Sequence, residues 1–518
     1  MATSLVELAE KRFGKVTRAE ERLFFAVALG NVADYSSQIE KENDLSTAAN
    51  WPSQRILHAD RIAWLCTDPE AVSHVTHRGL GIKGARIDGK LDLRYADINL
   101  ALYFDKCVIP GGIGLLGAEI HSLNLAGTHT GRVSADGIKT EGGIFLRDGF
   151  IAHGSVRLLG ATIGGDFDCG GGRFLAPGGD ALAADGLKVE GSVSLNDGFH
   201  AEGQVRLLGA TIGGNLDCNA GTFNNPGKDA FSADRMTVEG NAFLSEGFRA
   251  AGRVGLPGVT IGGYFIWRGV EKPEDVVLDL RSAKVSTLWM TEESWPGPNK
   301  LLLHGLTYEE IDDQSPTTVE TRIRWLQRQP PRPFRPQPYE QLAAVLRRDG
   351  HDADAKRVLY EKERDRSRFT DLTWGQVPWY RLFGPLIGYG YRPWRAFWIS
   401  LGLVIFGAFL FGVGHSYGLV TPAKAEAFVV VNGERAVSKE YPRLNPIMFS
   451  LDLFTPLIDL DQAEWWLPNA NMGSEANLGL FTLSTGGLLR AYMWFHIIAG
   501  WTLSSLLFVG LTGSVPGA

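Results

Sequence analysis

The sequence is poor in thiols: 518 residues carry four cysteines, Cys66, Cys107, Cys169 and Cys218, and six methionines. No two cysteines stand in CxxC spacing and no histidines cluster beside them, so neither a zinc site nor a disulfide framework is indicated. Such isolated thiols suit a reducing compartment. Positive charge is also short, with 51 Lys and Arg against 58 Asp and Glu and a net charge of -7. Domains that bind nucleic acid in general carry a basic face, so no nucleic-acid partner is expected. The opening stretch MATSLVELAEKRFGKVTRAEERLFF lacks the apolar core and small-residue cleavage site of an export signal. No glycine-rich string opens a helix, which disfavours a dinucleotide site. No catalytic motif, metal site or cofactor is therefore expected.

Glycine is in excess instead, 63 of 518 residues, where an average chain has about 7%. Much of that excess sits in a repeated phrase. VRLLGATIGG runs from Val156 to Gly165 and again from Val205 to Gly214, and VGLPGVTIGG follows from Val254 to Gly263, each copy 49 residues after the last. The text between them repeats too, as DGIKTEGGIFLRDGF from Asp136, DGLKVEGSVSLNDGF from Asp185 and DRMTVEGNAFLSEGF from Asp234. A fixed period means stacked units sharing one core.

A finer module of roughly eleven to thirteen residues lies beneath this period, beginning with GARIDGKLDL at Gly84, YADINLALYF at Tyr95, KCVIPGGIGL at Lys106 and GAEIHSLNL at Gly117. Its apolar residues alternate with period two, as in a strand with one buried face. Two modules make a coil of roughly 22 to 26 residues, so the 49-residue unit is two coils. The modules are too short and too rich in glycine for a helical solenoid. The fold class predicted is mainly β, a parallel β-solenoid over residues 80–303 with eight or nine coils, a rod on the order of 40 Å long. Its glycines serve corners. Cys169, Cys218 and Trp267 share one module position, which reads as a stacked core, with a thiol pair as the alternative.

Helices flank the rod. Ser4 to Phe13, Arg18 to Leu29 and Ile56 to Cys66 have helical apolar spacing, and residues 1–78 are assigned to an N-terminal helical cap over the rod's open edge. Beyond Leu303, residues 304–370 form a linker and hairpin. A helix starts after Ser315-Pro316 and runs to about Arg328; QPPRPFRPQP is a stiff extended link. Pro338 to Arg368 gives two helices, with Leu342, Val345 and Leu346 expected to face Ala353, Val358 and Leu359.

Residues 371–518 form a membrane domain. Ala396 to Gly414 and Ala491 to Gly513 are uncharged apolar runs of bilayer-spanning length with aromatic flanks. Arg364, Arg366, Arg368, Arg381, Arg392 and Arg395 precede the first, so both termini are expected in the cytoplasm of a two-pass cell (inner) membrane protein. Ala408 with Gly412 and Gly500 with Ser504 have small-xxx-small spacing, which permits close helix contact. His496 lies within the second span and His415 ends the first; an interfacial or hydrogen-bonded role is expected for His496. Between the spans, Pro446 to Trp466 is apolar but carries Asp452, Asp459, Asp461 and Glu464. It is too acidic to span and reads as a helix lying on the outer leaflet or as a re-entrant stretch. The second arrangement is that of a two-helix channel subunit, in which carboxylates select cations, although the filter string TVGYG is absent. Asp452, Asp459, Asp461, Glu464 and His496 are thus the candidate pore or interface residues.

RILHADRIAWLCTDPEA, GIKGARIDGKLDL, QPYEQLAAVLRRDGHDADAKRVL, LDLFTPLIDLDQ and AGWTLSSLLFVGLTG together resemble a group of poorly characterised bacterial membrane-anchored β-solenoid proteins. The resemblance covers nearly the whole length. Some of that group are labelled "membrane-associated oxidoreductase", which implies a redox activity without supplying site residues. From the residues themselves, the expected function is a membrane-anchored scaffold that binds a protein partner or itself, with the lipid bilayer as its other partner. A sensor coupled to an oligomeric pore is the alternative.

Overall fold

The structure, a computed structural model, describes all residues except 1, 317, 372, 376, 378, 379, 382, 383, 393, 432, 433, 457, 478–481 and 512–518. The chain divides into two compact units, Met1–Asp354 and Ala355–Ala518.

The first unit is a parallel β-solenoid of about ten turns. The coil around the first decapeptide makes four short strands, two on each of two parallel sheets. These are Ile151–Ala152 and Val156–Arg157, then Thr162–Ile163 and Phe167–Asp168 on the facing sheet; in the next coil one longer strand, Arg173–Ala183, takes the first two places. A two-residue strand turns one side chain in and the next out, so Val156, Ile163 and Phe167 are buried while Arg157 is exposed. Gly160 occupies a corner at φ +64°, where a side chain would be strained. Gly164 sits on the coil below, and a Cβ there would lie 2.3 Å from the Glu141 carbonyl.

Register confirms the period. Val156 pairs with Leu182, Leu182 with Val205, Val205 with Phe231 and Phe231 with Val254, so the decapeptides lie two coils apart. One core ladder runs Leu102, Leu123, Ile144, Phe167, Val193, Leu216, Ala242, Phe265, Leu288 and Ile311. A second is aromatic: Phe150, Phe174, Phe199, Phe223, Phe248 and Trp267 follow one another with ring centroids 5.1 to 5.6 Å apart. One corner carries a polar ladder. Asp166, Ser192, Asn215 and Asn241 each accept, through the side chain, a backbone N–H from the coil above.

There are more coils than the eight or nine expected, because both flanks contribute rungs. Ala33–Asp34 pairs with Leu80–Lys83, and Ile56–His58 pairs with Arg86–Asp88. Ile56 therefore begins a strand, although its apolar spacing suits a helix; the backbone partner on the next coil decides. The N-terminal helices are α1 (Ala2–Phe13), α2 (Arg18–Leu29), α3 (Ala59–Thr67) and α4 (Pro69–Val72). Thr17 and Glu20 close a capping box on α2, and the buried Glu20 also meets His58 at 2.9 Å and Arg61 at 3.4 Å. Arg55 lies over the Trp51 ring and donates twice to the Gly84 carbonyl, fixing the cap to the first coil.

The other end continues past Leu303 to Thr307–Ile311 and is closed by α5 (Val319–Leu326) and α6 (Gln337–Arg348). Gln337 accepts from Gly305 N–H at 2.7 Å and donates to Leu306 O, while Gln341 donates to Tyr308 O at 2.7 Å. Two glutamines thus pair backbone groups of the last coil, which has no coil above it. α7 (Asp352–Phe369) follows. Leu342 and Val345 are buried, as are Val358 and Leu359, but Ala353 is exposed and takes no part in the expected facing set.

The second unit holds α8 (Gly384–Ile387), α9 (Trp394–Ser416), α10 (Pro446–Phe454), α11 (Gln462–Trp465) and α12 (Thr485–Leu511). α9 and α12 are long and apolar enough to cross a membrane. α12 begins six residues before the expected Ala491, and residues 512 and 513 of the expected span lie outside those described. α10 packs between α9 and α12, joining Phe449 and Leu453 to Phe411, Leu489 and Met493 in one core.

Candidate functional site

The rod's chemistry lies on its surface. Asp136 and Asp185, the acids of the repeated DG phrase, accept the N–H of Leu159 and Leu208 one coil above and pair with Arg157 and Arg206. In the third copy the arginine stands two places earlier, as Arg253-Val254-Gly255, and pairs with Asp279 and Asp229. Burial works to raise the enclosed Asp279 carboxyl, but hydrogen bonds from Arg281 and Arg253 outweigh it and hold the carboxyl below its ordinary value. Asp234, which has Gly255 where its sister acids meet an arginine, is pushed the other way by burial. Beside this ladder, Arg132, Arg157, Pro177, Asp180 and Arg206 line an open groove of about 510 Å³.

The thiols are core. All four are buried and free, and burial pushes Cys66 and Cys107 up to about 12. Leu195 lies on the coil between Cys169 and Cys218, since Phe167, Val193 and Leu216 are successive partners two residues before each. A thiol pair is therefore excluded, and Trp267 stacks over Leu244 in the same file.

In the second unit the structure gathers His496 with Tyr492, expected only as an aromatic flank of the second span, and with Ser450 and Val404, for which no role was expected. His496 is fully buried. Its Nε2 lies 3.1 Å from both the Ser450 carbonyl and Oγ, and the Tyr492 hydroxyl lies 3.3 Å from Nδ1. Ser450 Oγ donates to the Val404 carbonyl at 2.8 Å. One tautomer satisfies the set, with Nε2–H donating to Ser450 O and Nδ1 accepting from Tyr492. The Ser450 proton is committed to Val404, so His496 is not its base; the group is a polar clamp joining α9, α10 and α12.

Glycines let α10 in. A Cβ on Gly407 would lie 2.5 Å from Ser450 Oγ, and one on Gly500 would lie 2.1 Å from the Phe454 carbonyl. Gly412 and Gly500, whose small-xxx-small spacing permits close helix contact, both face α10. An isolated glycine in an apolar helix and one serine in a nine-residue apolar run were the available signals.

The candidate acids separate. Asp452 accepts from Leu460 N–H and Ala463 N–H at 2.7 and 2.8 Å and so holds the segment after α10. Glu464 pairs with Lys424. Asp459 accepts the Asp461 N–H at 3.0 Å, and both side chains are exposed. Among the described residues no cluster suits a metal ion. Comparison with protein-family models, with curated proteins and with solved structures finds no match to this chain.

Proposed function

We propose that this chain is a membrane-anchored scaffold whose solenoid displays a charged face to a protein partner. The observation that carries the reading is the contrast within the rod: its ladders fill the interior with apolar side chains, while arginines and carboxylates repeat along the outside. Binding surfaces of repeat proteins are built this way, from one position repeated coil after coil. The anchor is α9 and α12, whose Trp398, Ile405, Phe409, Trp494, Ile498 and Phe508 are exposed and suit lipid. Residues 355–395 hold nine basic and four acidic residues, against four and eight in 417–484, which favours keeping the rod in the cytoplasm.

The test is cross-linking in intact membranes with Arg132→Glu and Arg157→Glu in the full chain. Exposed ion pairs contribute about 0–1 kcal/mol, so the fold should survive the change. A specific cross-linked protein should disappear; an unchanged set of cross-links would contradict the reading.

A further inference from the structure

α10 and the segment after it lie where a single chain would leave polar backbone in lipid. Contacts fix their depth along the long helices. Pro446 is 3.3 Å from where a Gly412 Cβ would sit, near the Ser416 end of α9. Ser450 meets Val404 and His496, close to the middle of each long helix. Phe454 packs with Ala396 and Leu503, and its carbonyl closes on Gly500. α10 therefore descends along α9, about 12 Å over its nine residues, and ends at or past mid-span. The chain then returns without helix: Leu460 and Ala463 come back beside Asp452, Gln462 accepts from Asn445 N–H, and Trp466–Pro468 pairs with Val420–Pro422 just beyond α9.

This is a re-entrant hairpin, and its returning arm is uncovered. Ile458, Asp459 and Asp461 are exposed. At bilayer depth, non-helical backbone is tolerated only where protein buries it or water fills the space beside it. A carboxylate at mid-span costs about 2.5–3.5 kcal/mol on insertion scales. Asp459, beside Leu460 at the level of Asp452, is the deeper of the two aspartates and needs water there, while Asp461 adjoins Gln462 at the Asn445 end; that water needs a wall.

We propose that several copies of this chain assemble through the membrane unit, with Ile458, Asp459 and Asp461 of each facing a shared water-filled path that admits cations. This rests on α9 and α12 crossing the bilayer, as proposed above. An identical copy is the occupant that meets the need. Every copy exposes the same polar arm, and rotation about a common axis collects the arms into one lumen while the apolar faces of α9 and α12 remain toward lipid. Collected carboxylates repel one another unless solvated and countered by cations, so the lumen is wet and electronegative and disfavours anions. Of the candidate acids, Asp459 and Asp461 line the path. Asp452 and Glu464 are spent on the hairpin and on Lys424, and His496 holds α10 in place behind the wall.

The experiment uses the full-length protein, purified and reconstituted into liposomes. Flotation after an alkaline wash comes first; protein lost at that step would defeat the membrane reading and this inference with it. For protein that floats, the particle extracted in mild detergent should contain three or more copies, and the liposomes should pass potassium in preference to chloride. Asp459→Asn with Asp461→Asn keeps the Asp461 N–H acceptor and should reduce that preference about tenfold at unchanged copy number. Because the native thiols are buried, Ile458→Cys supplies a single accessible one; a cationic water-soluble thiol reagent should modify it in the bilayer and depress flux. One copy per particle, no cation flux from the wild type, unchanged selectivity in the double variant, or an Ile458→Cys thiol that water-soluble reagent cannot reach would each overturn the inference.

Discussion

The rod and the second unit satisfy the same requirement, that buried backbone be paired, by opposite means. In the rod each strand borrows partners from the coils above and below, so every coil needs its neighbours and a residue type at one position is wanted at the same position a coil later. In the second unit α9, α10 and α12 pair their own backbone, and a few individual side chains hold the helices and the returning segment together: Ser450 on Val404, His496 on Ser450, Asp452 on Leu460 and Ala463. Repetition gives the first region redundancy. The second depends on single residues.

Substitutions sharpen that contrast. The largest effect is expected from Phe199→Ala in the aromatic ladder, where the ring lies between Phe174 and Phe223. Emptying a buried phenylalanine site costs about 3–5 kcal/mol. Hydrogen exchange should show the loss across neighbouring coils and leave α9 and α12 unchanged; a loss confined to one coil would contradict the shared core. Ser450→Ala comes next. It removes the hydroxyl that donates to the Val404 carbonyl, a hydrogen bond worth about 0.5–1.5 kcal/mol. Thermal unfolding in detergent should lose the membrane unit first, with the rod's transition unmoved.

Gln337→Ala tests a dependence of the rod that is not repeated from coil to coil. It frees Gly305 N–H and Leu306 O at the last coil and should cost about 1 kcal/mol, with exchange rising at 305–311 and fading toward the middle of the rod. The smallest effect is a pH dependence. The folded Asp279 carboxyl titrates below its ordinary value of 3.8, so its stabilisation is complete above that value and is lost as pH falls through the lower folded value. Asp279→Asn should flatten the acid limb of the rod's stability curve; an unchanged limb would show that Arg253 and Arg281 do not hold that charge.

The same contrast explains what was legible in the sequence. The decapeptide and the DG phrase placed the coils because a solenoid writes each contact several times. Phe174 and Phe223 were missed as partners of Phe150, Phe199 and Phe248, since they come from differently worded coils and meet only in space. Ile56–His58 looked helical because its pairing partner is 30 residues away. At the membrane end His496 was visible as a polar residue in an apolar run, and the acids as charges in another. Which acids face inward depends on Leu460 and Ala463 turning back to Asp452, an arrangement with no period and no repeated word.

The roles proposed for α9, α10 and α12 require that these helices come together in the bilayer. The most direct measurement is flotation of the full-length protein with membranes after an alkaline wash, which strips peripheral proteins and leaves spanning ones. The chain is predicted to float with the lipid; recovery in the soluble fraction as a folded protein would contradict the account.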